Sequence, residues 1–159
     1  AVSRRSQIYI ARRWGSWSEQ NRPGEGAMIA SLVRAENSPA PLARVTVVRL
    51  GRYRRPFDAA REAEWVAAAV DITSVDVILS GAHGWPALDA KYAAVVEAVS
   101  KRAGHPLEHQ TYKERCGEFH SASAFGFSVA VDLVRQGKRG VLLYTLSPRG
   151  AKAICCVQP

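Results

Sequence analysis

Three short loops in this sequence carry side chains able to move a proton or to face a developing negative charge. In Gly81-Ala82-His83-Gly84-Trp85-Pro86 an imidazole stands between small residues. Imidazole titrates near neutral pH, so His83 suits a general base or a hydrogen-bond donor to an oxyanion. A structural hydrogen bond is the simpler use of such a histidine. In Thr111-Tyr112-Lys113-Glu114-Arg115-Cys116-Gly117-Glu118, Lys113 and Glu118 form either a buried functional pair or a loop salt bridge, and spacing alone favours the salt bridge. The third loop is Ser147-Pro148-Arg149-Gly150. His105, His109, Cys116 and His120 raise the question of a metal. Pro106 keeps His105 and His109 off one helical face, and no CxxC or HExxH pattern joins them, so no metal site is expected. Trp85, Phe125 and Phe127 have the bulk to line an acyl pocket or to fill a core.

Those loops need strands before them and helices after them. Arg44–Leu50 alternates Val45, Val47 and Val48 with polar residues and reads as a strand, as does the apolar run Met28–Val33; Asn37 to Pro41 breaks the chain between them. A further short strand is suggested over Ser6–Arg12. Pro56-Phe57-Asp58 opens a helix over Ala59–Val70, with Asp58 at its positive end and Trp65 and Val66 facing the core. Asp76–Ser80 is a buried strand. Asp89–Ala103 places Tyr92, Val95, Val96 and Val99 on one helical face and stops at Gly104. Leu107–Tyr112 is a strand, and Ser121–Arg135 a helix carrying Phe125, Val129, Ala130 and Leu133. Gly140–Leu146 and Ala151–Val157 are strands around the third loop. The order β-β-α-β-α-β-α-β-β implies an α/β fold: a mixed, mainly parallel sheet with helices packed on it and antiparallel pairs at its flanks.

With 47% hydrophobic and 23% charged residues, the chain suits one packed domain. We divide it into an irregular, Arg-rich segment over 1–23 and a single domain over 24–159. There is no run of about eighteen apolar residues, so no membrane helix and no membrane partner are expected. No apolar stretch of signal-peptide type follows Arg4-Arg5, and the sequence starts at Ala1 without Met, as a chain that is processed, trimmed or cut from something longer does. The net charge of +8 is local. Residues 1–56 hold eleven arginines, no lysine and three glutamates, while the rest is neutral. Such a block faces solvent, an acidic protein or a nucleic acid; without a recognisable base-reading module, nucleic acid is the least favoured. Cys116, Cys155 and Cys156 make no disulfide framework, which suits the cytoplasm. In a strand, Cys155 and Cys156 point to opposite faces and serve packing.

Together the loops resemble the β-ketoacyl synthases. The series is Gly24-Glu25-Gly26-Ala27, then Ala82-His83-Gly84 with Asp89, then Lys113 with Gly117, then Ser121-Ala122-Ser123-Ala124. In that family a Gly-Glu-Gly-Ala segment leads into a strand, an Ala-His-Gly loop carries the first active-site histidine, and a later loop carries a lysine. Order and intervals agree from about residue 23 to the end. The resemblance implies the C-terminal half of a thiolase-like fold. His83 and Lys113 match family positions.

The departures bear on activity. The family's nucleophilic cysteine lies in the N-terminal half, and none of Cys116, Cys155 or Cys156 matches it. Glu118 stands where the second histidine is expected, and a carboxylate repels an oxyanion that an imidazole would stabilise. The Gly-rich gate is replaced by Ser147-Pro148-Arg149-Gly150. This combination resembles the chain-length factor, the non-catalytic β subunit of type II polyketide ketosynthases, and also synthase-like proteins of aryl-polyene clusters. The resemblance implies a heterodimer with a ketosynthase α subunit, service to an acyl carrier protein, and no cofactor. Trp85, Phe125 and Phe127 become tunnel or partner candidates, and Arg52, Arg54 and Arg55 carrier-docking candidates. The alternative is the C-terminal portion of an active condensing enzyme whose cysteine lies on a missing or separate N-terminal part. His83 and Lys113 would then serve decarboxylation of a malonyl unit.

Overall fold

Valine-rich Arg44–Leu50 is made for a pleated surface, because β-branched side chains lose freedom in a helix and pack well on a sheet. In the computed structural model, which describes residues 33–34, 41–117 and 122–159, it forms β1 (Arg44–Arg52). The expected strands over Ser6–Arg12 and Met28–Val33 lie outside the described residues, apart from Val33, as do Glu118, His120 and Ser121.

Asp58 then starts α1 (Ala59–Ala67). Its backbone is extended, and one carboxylate oxygen accepts the amides of Ala60 at 2.9 Å and Arg61 at 3.2 Å, satisfying two donors the helix cannot. The helix ends three residues short of the Val70 boundary the sequence suggests, although the amides of Ala69 and Val70 still bond to the Val66 carbonyl. Next come β2 (Val77–Ser80), α2 (Pro86–Ala103), β3 (Glu108–Thr111), the single turn α3 (Lys113–Cys116), α4 (Ala122–Arg135), β4 (Val141–Leu146) and β5 (Ala151–Gln158). Helix α2 starts a turn before the expected Asp89, because Pro86 takes its first position, where a missing N–H costs nothing. It ends at Gly104, whose φ of 73° is left-handed. Lys113–Cys116, expected as loop, is helical.

The sheet runs β1-β5-β4-β2-β3. The β4–β2 and β2–β3 pairs are parallel, and β1–β5 and β5–β4 are antiparallel. Helical crossovers build the parallel half; the tight connection at Ser147–Gly150 builds the other. Alternation along the strands then fills two cores. Ile78, Leu142, Tyr144, Ile154 and Cys156 join residues of α1 and α2 on one face. Val77, Leu79, Val141, Leu143 and Val157 meet α4 on the other. The described fold is therefore three layers, α/β/α. Tyr92, Val95, Val96 and Val99 of α2 are all buried; full burial of such side chains stabilises by about 1.5–3 kcal/mol each. Cys156 is buried in the first core and Cys155 packs against the second, on opposite faces as the alternation requires.

Candidate functional site

Parallel β2 and β3 end side by side, with Ser80 opposite Thr111. The two loops that carry His83 and Lys113 therefore leave the sheet together, at the carboxyl ends of parallel strands, where open α/β sheets form their sites.

Helix α2 fixes the first loop. Asp89, in its first turn, accepts the His83 amide on one carboxylate oxygen at 3.1 Å and the Gly84 amide on the other at 2.8 Å. Gly84 has φ 88°, a conformation that L side chains rarely adopt. The His83 side chain is buried, at 5% exposure, and its Nδ1 lies 3.2 Å from the Gly81 carbonyl. A carbonyl only accepts, so this contact places a proton on Nδ1. Nε2 is then the basic atom of the neutral ring, and a donor once the ring is protonated.

Gly81 is the point of convergence. A Cβ there would stand 2.9 Å from the Tyr92 hydroxyl, 3.1 Å from the Tyr112 hydroxyl and 3.5 Å from Lys113 Cε. Without it, two buried phenols and the lysine chain close around the backbone two residues before His83. The Tyr92 hydroxyl accepts the Leu146 amide at 2.7 Å and donates to the Leu146 carbonyl at 3.2 Å, tying α2 to the end of β4. Below the loop, the Ser80 hydroxyl is 2.8 Å from His109 Nε2. Desolvation holds the His109 pKa below its ordinary value, against the opposing pull of Glu114 and Asp89.

The structure thus brings His83 and Lys113 to one end of the sheet, while Glu118 lies outside the described residues. Trp85 packs half-buried against the core of α1 and α2, whereas Phe125 and Phe127 pack against the core of α4. The sheet stands between them. Arg52, Arg54 and Arg55 are exposed after and at the end of β1, with Arg52 Nη2 donating to the Arg149 carbonyl at 3.1 Å. His105 Nδ1 contacts the Pro106 carbonyl, away from the Ser80–His109 pair. Among the described residues no group of three His, Cys, Asp or Glu side chains is placed to hold a metal. No described helix is long and apolar enough to cross a membrane.

One polar cluster escapes a motif reading. Lys152 Nζ lies 2.7 Å from Glu62 Oε2, with side-chain exposures of 5% and 6%. The Tyr144 hydroxyl is 3.4 Å from the same oxygen, and the ammonium sits 4.1 Å from the Trp65 ring centroid. Its only sequence signal is position: Lys152 shares the inward stripe of β5 with Ile154 and Cys156.

No protein-family model matches the sequence, and no curated protein matches it. Solved structures do match. A type II polyketide synthase ketosynthase, in complex with its acyl-carrier protein, superposes with a TM-score of 0.59 at 12% identity, over 74% of this chain and 33% of its own. The oxazolomycin ketosynthase domain of Streptomyces albus JA3453 gives 0.59 at 13%, over 74% and 44%. The ishigamide ketosynthase/chain length factor gives 0.57 at 19%, over 79% and 37%. The chain spans less than half the length of each of these proteins. At such identities the likeness is one of architecture: the chain has a β-ketoacyl-synthase-like fold of the thiolase type.

Proposed function

We propose that this chain is a chain-length-factor-like, non-catalytic subunit that pairs with an active ketosynthase in polyketide assembly. The observation that carries this reading is an apolar strip on the α4 side of the sheet that is left exposed among the described residues. Val48 and Leu50 of β1 pair with Cys155 and Ala153 of β5 and are 66% and 76% exposed, and Val45 beside them is exposed too. Helix α4 covers the neighbouring strands and stops short of β1. A sheet face of this kind belongs under another layer, and contiguous exposed apolar surface marks protein contact. We assign that layer to the ketosynthase partner.

The two thiols of β5 are in keeping with a role without covalent acyl transfer. Burial pushes the Cys155 thiol up to about 11 and raises that of Cys156, the opposite of the activation a nucleophile needs. An acyl tunnel asks for bulk, which Phe125 and Phe127 on α4 would supply from one face of the sheet and Trp85 from the other. Arg52, Arg54 and Arg55 would steer an acidic carrier protein.

Co-expression with a ketosynthase from the same gene neighbourhood should give a 1:1 complex by light scattering, and product length should change when this subunit is omitted. A stable monomer with no effect on product length overturns the proposal. The second reading, the C-terminal portion of an active condensing enzyme, is favoured by the pinned His83 loop and the approach of Lys113. The intact mass of the native protein separates the two, and His83→Ala with full activity removes the catalytic role.

A further inference from the structure

A cavity of about 300 Å³ opens beside α1; its charged lining is Arg52, Arg54, Arg61 and Lys152 with the carboxylates of Asp58 and Glu62, and Trp65 and Pro56 complete it. It lies at the same sheet end as the His83 loop but beyond β4, since Lys152 pairs with Leu146. Its charges sort by partner. Glu62 neutralises Lys152 in the buried pair. Asp58 caps α1 and faces Arg61 Nε at 3.4 Å. Arg52 and Arg54 have no carboxylate partner among the described residues, which leaves two positive charges at the mouth. The floor is already built. A Cβ on Gly51 would stand 3.2 Å from both Lys152 Cε and Trp65 Cζ2, so glycine there lets the ammonium and indole pack. Arg49 stacks on the same indole at 4.9 Å while donating to the Trp65 carbonyl at 2.8 Å.

We propose that this cavity binds a small phosphomonoester dianion. Two guanidinium forks match a doubly charged group with several acceptor oxygens, and each fork can engage two oxygens at once. A monocarboxylate would neutralise half of the excess. Arg52 is held in place by the Arg149 carbonyl, so little freedom is lost on binding. Trp65 offers an apolar wall to the organic part of the ester.

The test is titration of the whole chain with glycerol 3-phosphate, followed by NMR at the arginine Nε–H and Trp65 indole N–H signals, with acetate at equal ionic strength as control. Saturable shifts confined to the cavity, absent with acetate, are expected. Arg54→Gln, an exposed change that leaves the fold intact, should weaken binding about tenfold, the loss of one charge-assisted contact. Shifts that do not saturate, that acetate reproduces, or that Arg54→Gln leaves unchanged overturn the proposal. Arg55 does not line the cavity. Arg55→Glu should therefore impair carrier docking and spare phosphate binding, so this inference and the proposed function fail separately.

Discussion

His109 ties the candidate site to proton activity. Its folded pKa is lowered by burial beside Ser80, so the unfolded chain, with its ordinary value of 6.5, binds the proton first as pH falls. Its contribution to stability is intact above that value and is lost as pH drops from 6.5 through the lowered folded pKa. Urea midpoints at pH 7.5 and 5.0 should therefore differ by less in His109→Gln, which keeps a polar contact to Ser80 without titrating. An unchanged difference would remove His109 as the source. At this scale the sequence was half legible. His83 and Lys113 stand out by residue type, and they do share one sheet end. The phenols of Tyr92 and Tyr112 do not, because helical and strand periodicity reads them as core, which by burial they also are. Lys152 with Glu62 was illegible for a different reason: their meeting depends on β5 lying over α1, and no local spacing encodes it.

Between elements, α4 sits close on the sheet. A Cβ at Gly126 would stand 2.9 Å from two ring carbons of Tyr112 and 3.0 Å from Leu143 Cδ1. Alanine would gain about 1 kcal/mol of helix propensity. Overpacking against a buried ring costs about 1–3 kcal/mol, and Tyr112 is only 1% exposed, so packing wins. Gly126→Ala should lower the thermal midpoint by several degrees; an unchanged or raised midpoint refutes this close fit. The elements themselves were legible because their cues are local: Asp58 as cap, Gly104 as stop, and the valine spacing of α2. Their edges moved where one residue had two roles. Pro86 reads as a breaker and acts as an opener, and Lys113–Cys116 has too few residues to show a period.

For the molecule as a whole, the basic first third and the exposed strip meet on β1. One edge of that strand's story is electrostatic, at Arg52 and the arginines after it, and the other is apolar, at Val48 and Leu50. The proposed partner layer makes a definite demand on the second. Leu50→Asp should leave the isolated chain folded, since this side chain is largely exposed, while abolishing the complex with the ketosynthase in size-exclusion chromatography. A complex that survives would move the interface elsewhere.

The antiparallel bond between β1 and β5 also sets a schedule. Val48 and Cys155 are paired in the sheet yet separated by more than a hundred residues of chain. At roughly 5–20 residues per second, a ribosome makes β1 about 5–20 seconds before its partner strand exists. During that interval the valines of β1 lack the ladder they later form with β5, so apolar surface stands exposed on the strand proposed to carry the interface. Synthesis beside the proposed partner subunit would shorten that exposure.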